Sequence, residues 1–177
     1  MPERGGAIVL IGFMGSGKSA AGRRLEMRTG WPRYDTDAMI SERFGSSINE
    51  IFAQHGESEF RRREAEVLLE LPRERAIVVT GGGIVLRPGN VECIRELGTV
   101  VNLTADEQTL FDRVSRRTSR PLLQGPDPAG RLRELVRERG SLYRSVADFT
   151  LDTSHLTRDE VVKAILARVE LPRHDVH

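Results

Sequence analysis

An α/β fold, with a parallel β-sheet covered by helices on both faces, is what this sequence predicts. Three observations carry that expectation. Short, continuously apolar runs rich in β-formers recur along the chain, they alternate with longer stretches of helical pattern, and a glycine-rich turn joins the first run to the first helix. Strands apolar throughout are buried on both faces, and strand–helix alternation builds parallel sheets through right-handed crossovers. With 177 residues, 38% of them hydrophobic and 30% charged, the chain fits one globular domain with a core that needs no staples.

Each element has its own signal. Ala7 to Ile11, bounded by Gly6 and Gly12, is the first strand. A helix follows from about Lys18 to Arg28, with Gly30 as its stop, and Arg33 to Asp35 is a short second strand. Residues 38–71 are helical but punctuated. Gly45 breaks the pattern, Ser47 with Glu50 makes a capping box, Gly56 breaks it again, and Ser58 is positioned to cap Glu59 to Leu71. That is more helix than a crossover needs, so an inserted subdomain is expected. Ala76 to Thr80 is the third strand and runs into Gly81-Gly82-Gly83; a helix over about Val91 to Leu97 and a fourth strand, Thr99 to Leu103, come next. Thr104 with Glu107 is expected to cap a helix to about Arg116. Residues 116–129, with three prolines, read as a mobile loop. A helix from about Gly130 to Val146, a fifth strand at Phe149 to Leu151 and a last helix to Val169, capped by Thr157 and Glu160, complete the chain.

Composition narrows the partners. A net charge of +1 implies no polyelectrolyte, hence no nucleic acid. Cys93 is the only cysteine, so no internal disulfide forms and a reducing compartment is expected; Cys93 itself reads as a small buried apolar residue. Residues 1–6 carry no apolar targeting segment and no apolar run reaches 18 residues, so the expectation is a cytoplasmic chain with no membrane partner. No apolar surface stripe is evident, and a monomer is expected.

Ligands of open parallel sheets sit at the carboxyl ends of the strands, where the Gly12 loop, Asp35, Thr80-Gly81-Gly82-Gly83 and the loop after Asp152 converge. Gly12-Phe13-Met14-Gly15-Ser16-Gly17-Lys18-Ser19 fits the phosphate-binding pattern G-x-x-x-x-G-K-[ST]. Its glycines let backbone N–H groups curl around phosphate oxygens, the following helix adds its positive end, Lys18 can reach the β- and γ-phosphates, and the Ser19 hydroxyl can ligate Mg²⁺. Asp35 and Asp37 alternate along an extended segment and so point the same way, as a metal site, a partner for an acceptor hydroxyl, or both; the plain alternative is that Asp37 caps the next helix. Arg61 and Glu64 share a helix face, so Arg61 is either a braced fork for a substrate anion or part of a solvated run with Arg62 and Arg63. The triple glycine supplies backbone N–H groups, a close approach, or only a tight turn. Arg120, in the proline-rich loop, can swing as a lid onto a transferring phosphoryl group, with Arg139 in the next helix.

Together these blocks resemble the shikimate kinases, over about Ala7 to Val169. The resemblance rests on the phosphate loop, Asp35-Thr36-Asp37, Ile51-Phe52-Ala53, Gly56-Glu57 with Glu59-Phe60-Arg61-Arg62, the triple glycine, Arg120-Pro121-Leu122-Leu123, Arg139 with Leu142-Tyr143, and Asp152-Thr153. It implies a three-layer P-loop kinase fold with strand order 2-3-1-4-5, forming one domain over residues 1–177 with a substrate-binding subdomain over about 35–64 and a lid over about 113–126. It implies ATP:shikimate 3-phosphotransferase activity in aromatic amino-acid biosynthesis, with ATP and shikimate as ligands and Mg²⁺ as cofactor. On that resemblance Asp37, Lys18 and Arg120 would be catalytic; Gly15, Ser16, Gly17, Lys18, Ser19, Ala20, Arg113, Arg120 and Ser154 would bind ATP, with Arg113 against adenine; Ser19 and Asp35 would serve the metal. Asp37, Arg61, Gly82, Gly83, Arg139, Phe52 and Phe60 would bind shikimate, with Arg61 and Arg139 on its carboxylate. Where the family often has a proline after the Arg139 position, this chain runs Gly140-Ser141-Leu142. The rival reading is another small-metabolite kinase of the same fold, such as a gluconate kinase; a nucleotide-binding regulatory module without turnover is a further one.

Overall fold

In the computed structural model, residues 4–116 and 123–169 are described. Five strands form one sheet of order β2-β3-β1-β4-β5: β1 (Ala7–Ile11), β2 (Arg33–Asp35), β3 (Ile77–Val79), β4 (Gly98–Thr104) and β5 (Phe149–Asp152). Every pairing is parallel. Seven helices follow the strands among the described residues: α1 (Lys18–Thr29), α2 (Thr36–Phe44), α3 (Ile48–Leu68), α4 (Pro88–Leu97), α5 (Glu107–Ser115), α6 (Pro128–Val146) and α7 (Arg158–Arg168). None of them is long and apolar enough to cross a membrane.

The central strand shows why an unbroken apolar run was needed. Ala7, Val9 and Ile11 face one core, with side chains from α3, α4, α5 and α6; Ile8 and Leu10 face the other, with side chains from α1 and α7. All five are essentially inaccessible. Each of the four larger ones, Ile8, Val9, Leu10 and Ile11, stabilises the fold by about 1.5–3 kcal/mol relative to exposure. A third cluster, Ile40, Ile51, Phe60 and Val67, holds α2 and α3 together as a unit of their own. The register sets the strand ends level: Leu10 pairs with Val79, Val79 with Asp35, Ile11 with Asn102, and Thr104 with Asp152.

Several local expectations need correction. Asp35, not Asp37, caps α2: its Oδ1 accepts from the N–H groups of Asp37 and Ala38 at 3.1 and 3.2 Å. Asp37 therefore lies in the first helical turn and not on an extended strand. The Thr104–Glu107 box does not form, because Thr104 is held extended in the β4–β5 ladder; Asp106 caps α5 instead, accepting from Thr109 N–H at 2.7 Å. The helical pattern does break at Gly56 (φ 80°, ψ 174°), where two helical stretches of α3 meet at a kink; Ser58 lies within the second stretch, and α3 ends at Leu68, not Leu71. α4 and α6 begin earlier than expected, with Pro88 and Pro128 in their first turns, where a missing N–H costs nothing. A single 3₁₀ turn, Ile84–Leu86, follows the triple glycine. The capping boxes at Ser47/Glu50 and Thr157/Glu160 are both present. α6 continues unbroken through Gly140-Ser141-Leu142. Of the expected lid, residues 117–122, and Arg120 with them, lie outside the described residues.

Candidate active site

The phosphate loop bridges the end of β1 and the start of α1. Gly12, Gly15 and Gly17 all have positive φ (143°, 81° and 97°), a run that side-chain-bearing residues adopt only with strain. α1 begins with no side-chain cap and no acidic residue in its first turn. A helix end left that way presents N–H groups and a positive dipole to an anion. Lys18 is buried, and its Nζ donates to the carbonyls of Gly12 (2.7 Å) and Phe13 (3.0 Å).

The loop forms one wall of a cleft of about 660 Å³. Gly15, Ser16, Gly17, Lys18, Ser19 and Ala20 line it, and so do Asp35 and Asp37 from the β2 end, Thr80, Gly81 and Gly82 from the β3 end, and Arg113 from α5. The two aspartates share the cleft as expected, through a helix start and not through strand alternation. Thr36, fully buried between them, accepts the Gly81 N–H at 3.1 Å and ties the β2 end to the β3 end.

Beyond Gly81 and Gly82 lies a second constellation. Arg61 is buried on α3; its two terminal nitrogens donate to Glu64 at 3.0 Å and to Glu57 at 3.2 Å, and its guanidinium sits 5.0 Å from the Phe60 ring centre. Its Nε and the Glu64 Oε1 are buried with no hydrogen-bond partner among the described residues. Phe60 in turn packs on Phe52, with ring centres 4.8 Å apart. Gly83 faces the Arg61 guanidinium so closely that a Cβ there would stand 2.2 Å from it. A Cβ on Gly81 would meet Asp37 Oδ1 at 2.7 Å and Glu64 Oε1 at 3.0 Å, so these two carboxyls converge on the same glycine. Burial pushes the Glu64 carboxyl up to about 7; Asp37 adds to the rise, and Arg61 and Arg139 oppose it without prevailing. Arg139, buried on α6, contacts Tyr143, whose phenol burial raises to about 12 and whose hydroxyl donates to the Gly82 carbonyl.

Arg61, Arg139, Gly83, Phe52 and Phe60 are therefore gathered, but behind the glycine strip and not in the wall of the main cleft. Ser154 is not in that wall either: its hydroxyl is spent on Asp152 (2.5 Å) and on the Asp106 N–H (2.8 Å). Its neighbour Thr153 lines the cleft instead, buried and bonded to Arg113. Arg113 also donates to the Gly15 carbonyl at 3.1 Å. Thr36, Thr153 and the Tyr143–Gly82 bond are contributions that spacing alone does not reveal, since each depends on a partner distant in sequence. No group of three or more His, Cys, Asp or Glu side chains able to hold a metal occurs among the described residues.

A phosphate loop at the end of the central strand, with carboxylates and buried arginines assembled across glycine backbone, defines a P-loop kinase acting on a small molecule. A family model for shikimate kinase matches residues 14–170. A shikimate kinase of Thermodesulfovibrio yellowstonii is 42% identical over 164 residues, 92% of this chain and 94% of the relative. One of Paracidovorax citrulli is 47% identical over 148 residues, 82% of this chain and 81% of the relative. Among solved structures, the shikimate kinase of Acinetobacter baumannii in complex with shikimate has a TM-score of 0.87 at 36% identity, covering 93% of this chain and 92% of that one. The chain belongs to the shikimate kinase family.

Proposed function

We propose that this chain transfers the γ-phosphoryl group of ATP to the 3-hydroxyl of shikimate, giving shikimate 3-phosphate and ADP, as a step of aromatic amino-acid biosynthesis. The observation that carries the proposal is that Lys18 and Asp37 line one cleft, with Gly81 and Gly82 between Asp37 and the Arg61–Arg139 constellation. An acceptor with a carboxylate and several hydroxyls suits that division: charged forks at one end, a carboxylate at the other. Arg61 and Arg139 would take the shikimate carboxylate, Asp37 the reacting hydroxyl, the Gly82 and Gly83 backbone the body of the ring, and Phe52 and Phe60 the apolar side. Phosphoryl transfer has a loose transition state and needs chiefly positioning and charge stabilisation. Asp37 accordingly orients the hydroxyl and accepts its proton as the bond to phosphorus forms. Lys18 exchanges its carbonyl bonds for phosphate oxygens, and Arg120 adds charge from the lid. Gly15, Ser16, Gly17, Ser19 and Ala20 cradle the phosphates, Arg113 lies at the adenine end, and residues 35–64 and 113–126 act as substrate-binding subdomain and lid.

The donor set suits Mg²⁺ as ATP carries it, because that ion keeps waters and phosphate oxygens and needs few protein ligands. Ser19 would hold it directly and Asp35 through water; capping α2 uses only Oδ1 of Asp35. When bound, the ion neutralises charge developing on the transferred group. We further propose that the enzyme works as a monomer in the cytoplasm. ADP release, followed by a coupled assay with and without shikimate, tests the function. Shikimate-dependent turnover is expected; turnover with gluconate alone, or ATP binding with neither, would replace the proposal by one of its rivals.

A further inference from the structure

Thr153 occupies a position that the reaction as outlined leaves unused. It follows β5 directly, is 3% exposed, and its N–H extends the ladder by donating to the Thr104 carbonyl at 2.8 Å. Its hydroxyl stands 3.1 Å from the carbonyl of Ser16, inside the phosphate loop, and 3.0 Å from that of Thr104. The same oxygen accepts from Arg113 at 3.0 Å, and Arg113 also donates to the Thr153 carbonyl at 3.2 Å. One buried hydroxyl thus joins three segments far apart in sequence: the phosphate loop, α5 and the loop after β5. Thr104 already receives the Thr153 N–H, so the hydroxyl hydrogen matters most to Ser16.

The peptide geometry says what that bond does. No cis peptide occurs among the described residues, and in a trans peptide the carbonyl and the next N–H point in opposite directions. Holding the Ser16 carbonyl outward, towards Thr153, turns the Gly17 N–H inward, to the concave side of the loop. Arg113 holds the Gly15 carbonyl at 3.1 Å, and the N–H that follows it, of Ser16, is bonded within the loop to the Phe13 carbonyl at 3.1 Å. Gly17, at φ 97°, is the residue whose backbone could otherwise rotate with least penalty. Arg113, braced on Thr153 by two bonds, is fixed by the same contact.

We infer that Thr153 is a positioning residue for the nucleotide: its hydroxyl sets the Ser16–Gly17 peptide so that the loop is already shaped for phosphate, and it couples that loop to Arg113. The inference rests on the ATP-dependent activity proposed above. Loss of the hydroxyl leaves the Ser16 carbonyl buried without this donor and frees the peptide to turn.

Thr153→Val keeps the shape and removes the hydroxyl; Thr153→Ser keeps the hydroxyl. Steady-state kinetics with each substrate varied should show the KM for ATP rising roughly five- to ten-fold in Thr153→Val, the scale of one buried hydrogen bond. The KM for shikimate should stay at the wild-type value, and Thr153→Ser should restore the KM for ATP. An unchanged KM for ATP overturns the inference. So does a joint rise of both KM values, or a serine variant as impaired as the valine one, since either reports a packing role alone. If Thr153→Val does not fold, Thr153→Cys, which has the outline of serine but only a weak donor, is compared with Thr153→Ser and is subject to the same outcomes. The wild-type assay separates the two proposals: absence of shikimate-dependent turnover there ends the functional reading, whereas normal wild-type turnover with an indifferent Thr153 ends only this one.

Discussion

At the scale of single residues, neighbouring acids do different work because their surroundings differ. Asp35 is bound to backbone N–H groups at the start of α2, and Asp37, two residues on, faces the cleft. Asp37→Asn keeps size and removes charge. Turnover should fall by about 10²- to 10⁴-fold, the usual scale for a proton-accepting group, while the ATP dissociation constant measured by calorimetry stays within about two-fold, well under the 1.4 kcal/mol of a tenfold change. Turnover near normal would remove Asp37 from the reaction. Glu64 behaves differently again. Its carboxyl titrates at about 7 in the folded chain against an ordinary 4.5. The folded state therefore holds this proton more tightly than the unfolded state does. The resulting stabilisation is complete below the ordinary value and is lost as pH rises through 7, a difference of about 3 kcal/mol. Glu64→Gln imitates the protonated form and has nothing to lose. Its melting temperature relative to wild type should climb between about pH 5 and pH 8; parallel curves for the two proteins would show that Glu64 does not titrate there.

At the scale of elements, strand positions were legible because burial on both faces demands an unbroken apolar run, and a run such as Ala7 to Ile11 has few other uses. Capping boxes at Ser47 and Thr157 were legible because both partners lie within one turn. Thr104 misled because a strand can claim the same residue a helix start would use, and the ladder to β5 outweighed the box. The phosphate loop was readable for the same reason as the caps: its chemistry is local in sequence. The bonds from Tyr143 to Gly82 and from Arg113 to Gly15 join residues 61 and 98 positions apart, and no local pattern encodes them. The triple glycine lies between these cases: its composition flagged a close approach without saying to what. The structure answers that for Gly83, whose missing side chain makes room for the Arg61 guanidinium. A methyl group there would stand 2.2 Å from a terminal nitrogen, closer than any real contact, and the group that must move is the end of a flexible side chain. Gly83→Ala should therefore fold, displace Arg61, and raise the KM for shikimate about ten-fold or more, in line with loss of a charged contact. The KM for ATP should not change. Equal kinetics for variant and wild type would mean that Arg61 does not need that position to act.

At the scale of the whole molecule, the sheet holds apart two ligand regions that chemistry must bring together. The phosphate loop, Arg113 and Thr153 sit on the β1, β4 and β5 side; Arg61, Glu64 and their aromatic neighbours belong to the α2–α3 unit, which has its own small core. Because that unit has a separate apolar cluster, damage to its ligand contacts need not propagate to the phosphate loop. This independence can be tested by linkage. A ligand that binds only the folded state stabilises it by about 2.7 kcal/mol at one hundred times its dissociation constant. For a chain of this size each kcal/mol shifts the melting temperature by about 2–4 °C, so saturating ATP or shikimate should each raise it by roughly 5–11 °C. Arg61→Ala should abolish the shift caused by shikimate and preserve the shift caused by ATP. Glu64, deprived of its cation, is then expected to take up a proton, since a buried carboxyl avoids an uncompensated charge by neutralising, so the variant's own melting point should fall less at low pH than at high pH. Retention of the full shikimate shift by Arg61→Ala would mean that the acceptor is gripped elsewhere. Loss of the ATP shift in the same variant would mean that the two regions fold and bind as one, and that the separate core under α2 and α3 does not insulate them.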